Sequence, residues 1–452
     1  MRLKLLHLFE TLRSTYWFIP TIMAVAAGVG AVLLVQVDRF LSARFVDQLG
    51  WIYSGGPEGA RAMLSVVAGS VIGTAGVTFS ITIAALSLAS TQLGPRILYN
   101  FMRDTGNQFV LGTFIATFVF CVLVLRTIRG ADESGRFVPA ISITVGLALG
   151  LLSMGVLIYF IHHVAVSIQA PNVVAVIGRD LAAEVEREFA PENAIPAEKR
   201  TPGLPDGFDR HAAIVASPAD GYVQALDENA LVTIAQRADL LLVIERRPGK
   251  FVSEGLPLVR AWPPERMNPG WESDIRARFV LGWQRTSEQD VEFAADQLSE
   301  VAIRALSPAI NDPFTAMGCL DWLGAALCRA GRGRTPDPVR TDGEGRVRVI
   351  YRHPITFSGM ADAAFHQIRQ FGARSPAVML RMLEVITTVI RCTGGDRDEI
   401  QVLLQHAEIN RRAALEAITE PRDRADLEER YQQLLEAAAI MLESGERAPN
   451  GA

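Results

Sequence analysis

Seven small residues recur along one apolar segment: Gly69, Gly73, Gly76, Ser80, Ala84, Ser87 and Thr91 follow one another at steps of three or four. On an α-helix that spacing forms a single stripe, and Ser70, Thr74, Thr78 and Thr82 run beside it. Two chemistries fit the pattern. In a bilayer, small residues let helices approach closely and hydroxyls bond across the contact. Around the axis of an oligomer, the same hydroxyls and exposed backbone would line a wet path for ions. Both readings predict that Gly76→Leu is damaging. Thr78→Val separates them, because it alters conduction only if Thr78 faces water. Gln92 and Arg96 end the segment and form the expected cytoplasmic mouth.

The remaining candidates are weaker. In ALSPAINDPFTA (305–316), Asp312 suits a helix N-cap and Pro313 the first helical position. The segment therefore reads as helix stop, turn, cap and helix start. The alternative is a ligand site using Asn311 and Asp312, although a carboxylate there argues against a free anion. His162 and His163 are neighbours on a helix and point about 100° apart, so they are poor partners for one metal. The sequence near them offers no carboxylate. Lys250 lies in PGKFVSEGLPL, which resembles a turn of biotinyl- and lipoyl-type barrels but lacks the context of a modified lysine. An ordinary β-turn is expected. Nucleotide-binding, metalloprotease, nucleophile-elbow and C-x-x-C motifs are all missing. The chain is thus expected to have no catalytic residues, no cofactor and no metal. A net charge of −5 gives no electrostatic reason to expect nucleic acid.

The elements that must position these residues follow from hydropathy. A spanning helix needs about 20 mainly apolar residues, and four segments qualify: Tyr16–Val37, Met63–Leu93, Asn107–Leu125 and Ala140–Val166. Residues 62–95 carry no charge. At about 1.5 Å per residue the second span reaches about 50 Å, against a hydrocarbon core of about 30 Å. It should tilt, kink or continue beyond the lipid. The first span is too long for a cleavable signal and reads as a retained helix. Arginines are nearly balanced between the two sides, so the positive-inside rule does not set orientation. Cys319, Cys328 and Cys392, an odd number without paired spacing, suit a reducing compartment. The region after the last span, and with it both termini, is therefore expected to be cytoplasmic.

The expected organisation is a transmembrane domain at 1–170, an amphipathic helix and connector at 171–210, and a small β-rich module at 211–285. A mainly helical domain at 286–446 and a disordered tail at 447–452 complete it. The loop 331–345 is expected to be mobile, and a helix is expected from Ser287. The fold class is an α-helical membrane domain of four transmembrane helices followed by a cytoplasmic α+β region.

Three segments together carry a resemblance: FSITIAALSLASTQLGPR (79–96), DGYVQALD (220–227) and ALSPAINDPFTA (305–316). With them, almost the whole chain resembles a bacterial family of predicted membrane proteins of unknown function, the DUF2254-type proteins. The resemblance implies a multi-pass bacterial inner-membrane protein and supplies no activity. From the residues themselves, the expected function is a homo-oligomeric channel or pore-like protein in contact with membrane lipid, with ions or a small ligand as partners. The alternative is a membrane-tethered scaffold or sensor whose soluble part binds a partner or small ligand.

Overall fold

The apolar runs fold as helices α1 (Phe18–Phe40), α2 (Pro57–Leu93), α3 (Thr105–Leu125) and α4 (Ala140–Ser167). Each is long and apolar enough to cross a membrane. The computed structural model describes residues 17–40, 53, 55–94, 104–129, 137–190, 203–287, 289–333 and 335–447. The chain divides into two units, Met1–Asn172 and Val173–Ala452. Arg96, most of the connector (191–202) and the tail 448–452 lie outside the described residues.

In the first unit α3 packs against α1, α2 and α4. Its apolar stretch is 56% buried, against 28% or less for the other three helices. Helix starts leave backbone N–H groups without intrahelical partners, and two carboxylates satisfy them here. Asp104 caps α3 by accepting from the Gly106 amide at 2.7 Å. Asp38, near the end of α1, accepts from the amides of Ile141 (2.9 Å) and Ser142 (3.0 Å) and from the Ser142 hydroxyl (2.6 Å), at the start of α4. The outer faces expose Val25, Val29, Leu33, Leu151, Ile158 and Ile161. An apolar surface of that extent is a liability in water and is solvated in hydrocarbon.

The second unit begins within α5 (Ala170–Glu188), which buries Val174, Ile177, Leu181 and Val185 along one face. After the short α6 (Phe208–His211) come β1 (Ala213–Ala216), β2 (Gly221–Leu226) and α7 (Glu228–Ala238). Then follow β3 (Leu241–Ile244), β4 (Phe251–Val252), β5 (Pro257–Trp262), α8 (Pro269–Arg276) and β6 (Phe279–Gly282). Asp227 caps α7 as its spacing predicts, accepting from the Ala230 amide at 3.1 Å. The helices α9 (Val291–Ala305) and α10 (Pro313–Arg332) precede strands β7 (Val339–Thr341) and β8 (Val347–Tyr351). Helices α11 (Phe357–Gly372), α12 (Pro376–Cys392), α13 (Arg397–Ala417) and α14 (Pro421–Arg447) complete the chain.

Two sheets form, ordered β1-β5-β3-β8-β7 and β4-β2-β6. The parallel pairing of β3 with β8 sets Leu242 opposite Val349. It joins the stretch expected to be β-rich to one expected to be helical, and both lie in one unit. Among the helices, α12 packs against α10, α13 and α14 and buries Met379, Met382, Leu383, Ile386, Val389 and Ile390.

The structure adds detail to one local expectation and corrects another. The loop expected to be mobile at 331–345 contains strand β7 and a turn organised by buried Asp342. Its carboxylate accepts from the amides of Glu344 (3.0 Å) and Arg346 (2.9 Å) and from Arg348 Nε (2.8 Å). The Arg348 hydrogen bond, with those amides, holds this carboxyl down at about 2. Glycine and aspartate there suit a tight turn. The helix expected from Ser287 starts at Val291. Gln289 takes a positive φ of 56°, and Asp290 caps the helix by accepting from the Phe293 amide at 3.2 Å.

Candidate functional site

Helix α2 has two distinct faces. Leu64, Ala68, Val71, Ala75, Thr78, Thr82 and Leu86 are buried, forming one stripe within the unit. Gly69, Gly73, Gly76, Ser80, Ala84, Ser87 and Thr91 are exposed. A Cβ added at Gly69, Gly73 or Gly76 would meet nothing within 4 Å. The two stripes suggested by spacing therefore differ in environment. Thr78 and Thr82 pack inside the unit, with the Thr82 hydroxyl donating to the Thr78 carbonyl at 2.8 Å. Half-buried Thr74 donates to the Ser70 carbonyl at 2.9 Å. On the open face the Ser80 hydroxyl donates to the Gly76 carbonyl (2.9 Å) and the Thr91 hydroxyl to the Leu88 carbonyl (2.8 Å). Gly94, with φ 114°, ends the helix just after Gln92.

His163, expected to lack a carboxylate, has one: its Nε2 lies 2.8 Å from Asp104 Oδ2, and Tyr159 stacks on its ring at 5.3 Å. Asp104 sits on another helix terminus, beyond the reach of local sequence reading. The Asn311–Asp312 turn follows the geometric expectation. Asn311 adopts φ 51°. Asp312 accepts from the Thr315 amide (3.1 Å) and hydroxyl (2.6 Å), so both oxygens serve the cap.

The second unit also holds a cleft of ≈ 490 Å³, open solvent included, whose lining contains Glu188, Glu228, Arg247, Gln289, Arg340 and Tyr351. Arg340 Nε donates to Glu228 Oε2 at 2.7 Å, and the Tyr351 hydroxyl donates to the same carboxylate. Burial, reinforced by Glu228, pushes the Tyr351 hydroxyl well above its usual value and raises the Glu188 carboxyl. Arg247 donates to the His353 carbonyl at 3.0 Å and pairs with Glu292, which Lys250 reaches at 2.9 Å. Burial alone would raise the Glu292 carboxyl, but the Arg247 charge and Lys250 outweigh it and hold it below the usual range. The lysine of the barrel-like turn is thus engaged in an ion pair. Because Arg247 is only 6% exposed, removing it strands buried polar groups. Arg247→Met should cost about 3 kcal/mol, measured by denaturant unfolding of the detergent-solubilised protein. A loss below about 0.5 kcal/mol would mean the pair is dispensable.

Sequence reading had no place for one further cluster, Asp362, His366 and His406, whose ligand-type atoms all lie within 4.8 Å of one another. The first two are four apart on α11, a spacing that signals a shared helical face. His406 comes from α13, so only folding brings the third residue in.

The four apolar helices and the mixed second unit define a two-unit membrane protein. The chain belongs to the family described as "Predicted membrane protein (DUF2254)", which matches residues 13–388. An uncharacterized protein of Mycobacterium bovis is 30% identical over 422 residues, covering 92% of this chain and 80% of the relative. An uncharacterized protein of Mycobacterium tuberculosis is similar to the same extent, 30% identical over 422 residues. No solved structure matches the chain.

Proposed function

We propose that this protein is a homo-oligomeric channel of the bacterial inner membrane, built from copies joined along the open face of α2. The observation that carries the reading is the contrast between the faces of that helix: one buried, the other a run of small residues left open. Small residues on a membrane helix favour close contact with another helix. The exposed hydroxyls of Ser80, Ser87 and Thr91 give the face a polar character suited to a hydrated path. The second unit would serve as the regulatory part, on the cytoplasmic side with both termini. The free thiols of Cys319, Cys328 and Cys392 support that side, since a reducing compartment preserves them.

In a background whose native cysteines are replaced, a bifunctional thiol cross-linker should join Gly73→Cys chains into covalent dimers in native membranes and leave the parent without the added cysteine uncross-linked, because Gly73 is exposed on α2. The purified protein should conduct in planar bilayers. Silence across voltage, tension and ionic conditions, in a preparation that cross-links, would sink the channel and leave the assembly. That outcome favours the second reading, a membrane-tethered sensor, which the cleft with its half-buried Glu188 supports. It would then show ligand-dependent protection of Glu188, Glu228 and Tyr351 in hydrogen exchange.

A further inference from the structure

Asp362 and His366 project from one face of α11, and α13 packs against that helix and supplies His406. Asp362 Oδ1 stands 3.3 Å from His366 Nε2 and 3.2 Å from His406 Nε2. A tetrahedral ion with bonds of about 2.0–2.1 Å holds neighbouring ligand atoms about 3.3 Å apart. Two of the three donor separations therefore already match tetrahedral coordination, and the third is within 4.8 Å. The two imidazole rings stand 5.0 Å apart and inclined at 49°, so they approach the carboxylate from different directions.

From this geometry we propose that Asp362, His366 and His406 form a divalent transition-metal site of the zinc class. Two imidazoles and one carboxylate, with no thiolate, suit zinc, cobalt and nickel, whereas calcium and magnesium call for all-oxygen shells. The site has a floor and an opening. The His406 side chain is 6% exposed and lies beside the Phe365 ring, while those of Asp362 and His366 are 49% and 42% exposed. Three protein ligands leave a fourth position for water or another donor, on the side where Asp362 and His366 meet solvent. Arg369 contributes positive charge at His406, which opposes a bound cation. A bound ion would tie α11 to α13. This inference does not depend on whether the membrane unit conducts.

The test uses full-length protein in detergent, purified without a histidine tag and stripped with a chelator. Zinc is titrated against a chromophoric competitor, and cobalt is followed by its visible spectrum. The wild type should take up about one ion per chain and give the intense cobalt bands of tetrahedral coordination. Removing a ligand should weaken binding at least as much as removing an outer-shell partner, about tenfold to a hundredfold. His366→Ala and Asp362→Asn, at exposed positions, should each show that loss with unfolding temperatures near the wild type's without metal. Excess calcium or magnesium should leave the cobalt spectrum unchanged. Equal uptake by wild type and His366→Ala, no uptake by the wild type, or a weak octahedral cobalt spectrum shared by all three proteins would overturn the proposal.

Discussion

Gly249→Ala is expected to destabilise the second unit by about 5 kcal/mol. Gly249 holds φ at +86°, and an added Cβ would stand 2.0 Å from Asp290 Oδ2. A left-handed conformation costs an L-residue about 1–2 kcal/mol. The larger part comes from displacing Asp290, which cannot move freely. One of its oxygens accepts from the Phe293 amide and the other accepts from Arg285 at 2.9 Å. Arg285 also donates to Asp296 at 2.8 Å. Asp290 is 0% exposed, so moving its carboxylate forfeits a helix cap and strands a buried charge. Burial already raises this carboxyl, with Arg285 pulling the other way, so losing Arg285 leaves the charge without its main compensation. Hydrogen exchange of full-length protein in detergent should show lost protection at 241–262 and 289–305. Asp290→Ala should account for most of the same loss, and adding Gly249→Ala to it should cost only the backbone strain. A Gly249→Ala variant within about 0.5 kcal/mol of wild type would remove the Asp290 contact as the cause.

This contact also marks the boundary of what sequence could disclose. The caps were legible where cap and helix are adjacent: Asp227 before Ala230 and Asp312 before Pro313 follow from short-range spacing. The four membrane helices were legible because a bilayer imposes length and apolarity on each span independently. Long-range pairings were not. Asp38 binding the start of α4, Asp104 meeting His163, and Asp362 meeting His406 each join residues whose neighbours in sequence give no hint of the partner. The same limit hid the parallel pairing of β3 with β8, since period-two patterning says which face of a strand is apolar and leaves its neighbour open. The turn at Asp342 was hidden for another reason. Its glycine and aspartate content matches flexible loops, and only the Arg348 partner distinguishes a fixed turn.

On α2 the sequence supplied both stripes, and the structure buries Thr78 and Thr82 while leaving the small-residue stripe exposed. On the proposed channel reading, Gly73→Leu is expected to weaken assembly by about tenfold or more, equivalent to about 1.4 kcal/mol of association free energy, and to lower the conductance with it. A Cβ added at Gly73 meets nothing within 4 Å in its own chain, and leucine favours a helix over glycine by about 1 kcal/mol. Folding of the single chain should therefore persist, leaving assembly as the step that fails. Gly76→Leu should behave alike, because its surroundings are equally open. Thr78→Val should leave conductance at the wild-type level, because Thr78 is 4% exposed and packs against its own unit. Cross-linking yield and single-channel current, measured on the same membranes, separate the outcomes. If Gly73→Leu assembles and conducts normally while Thr78→Val alters the current, the path runs along the buried stripe and the open face meets lipid. If Gly73→Leu loses oligomers and Thr78→Val is silent, the small-residue face is the one that copies of this chain share, and the threonines hold α2 within its own helix bundle.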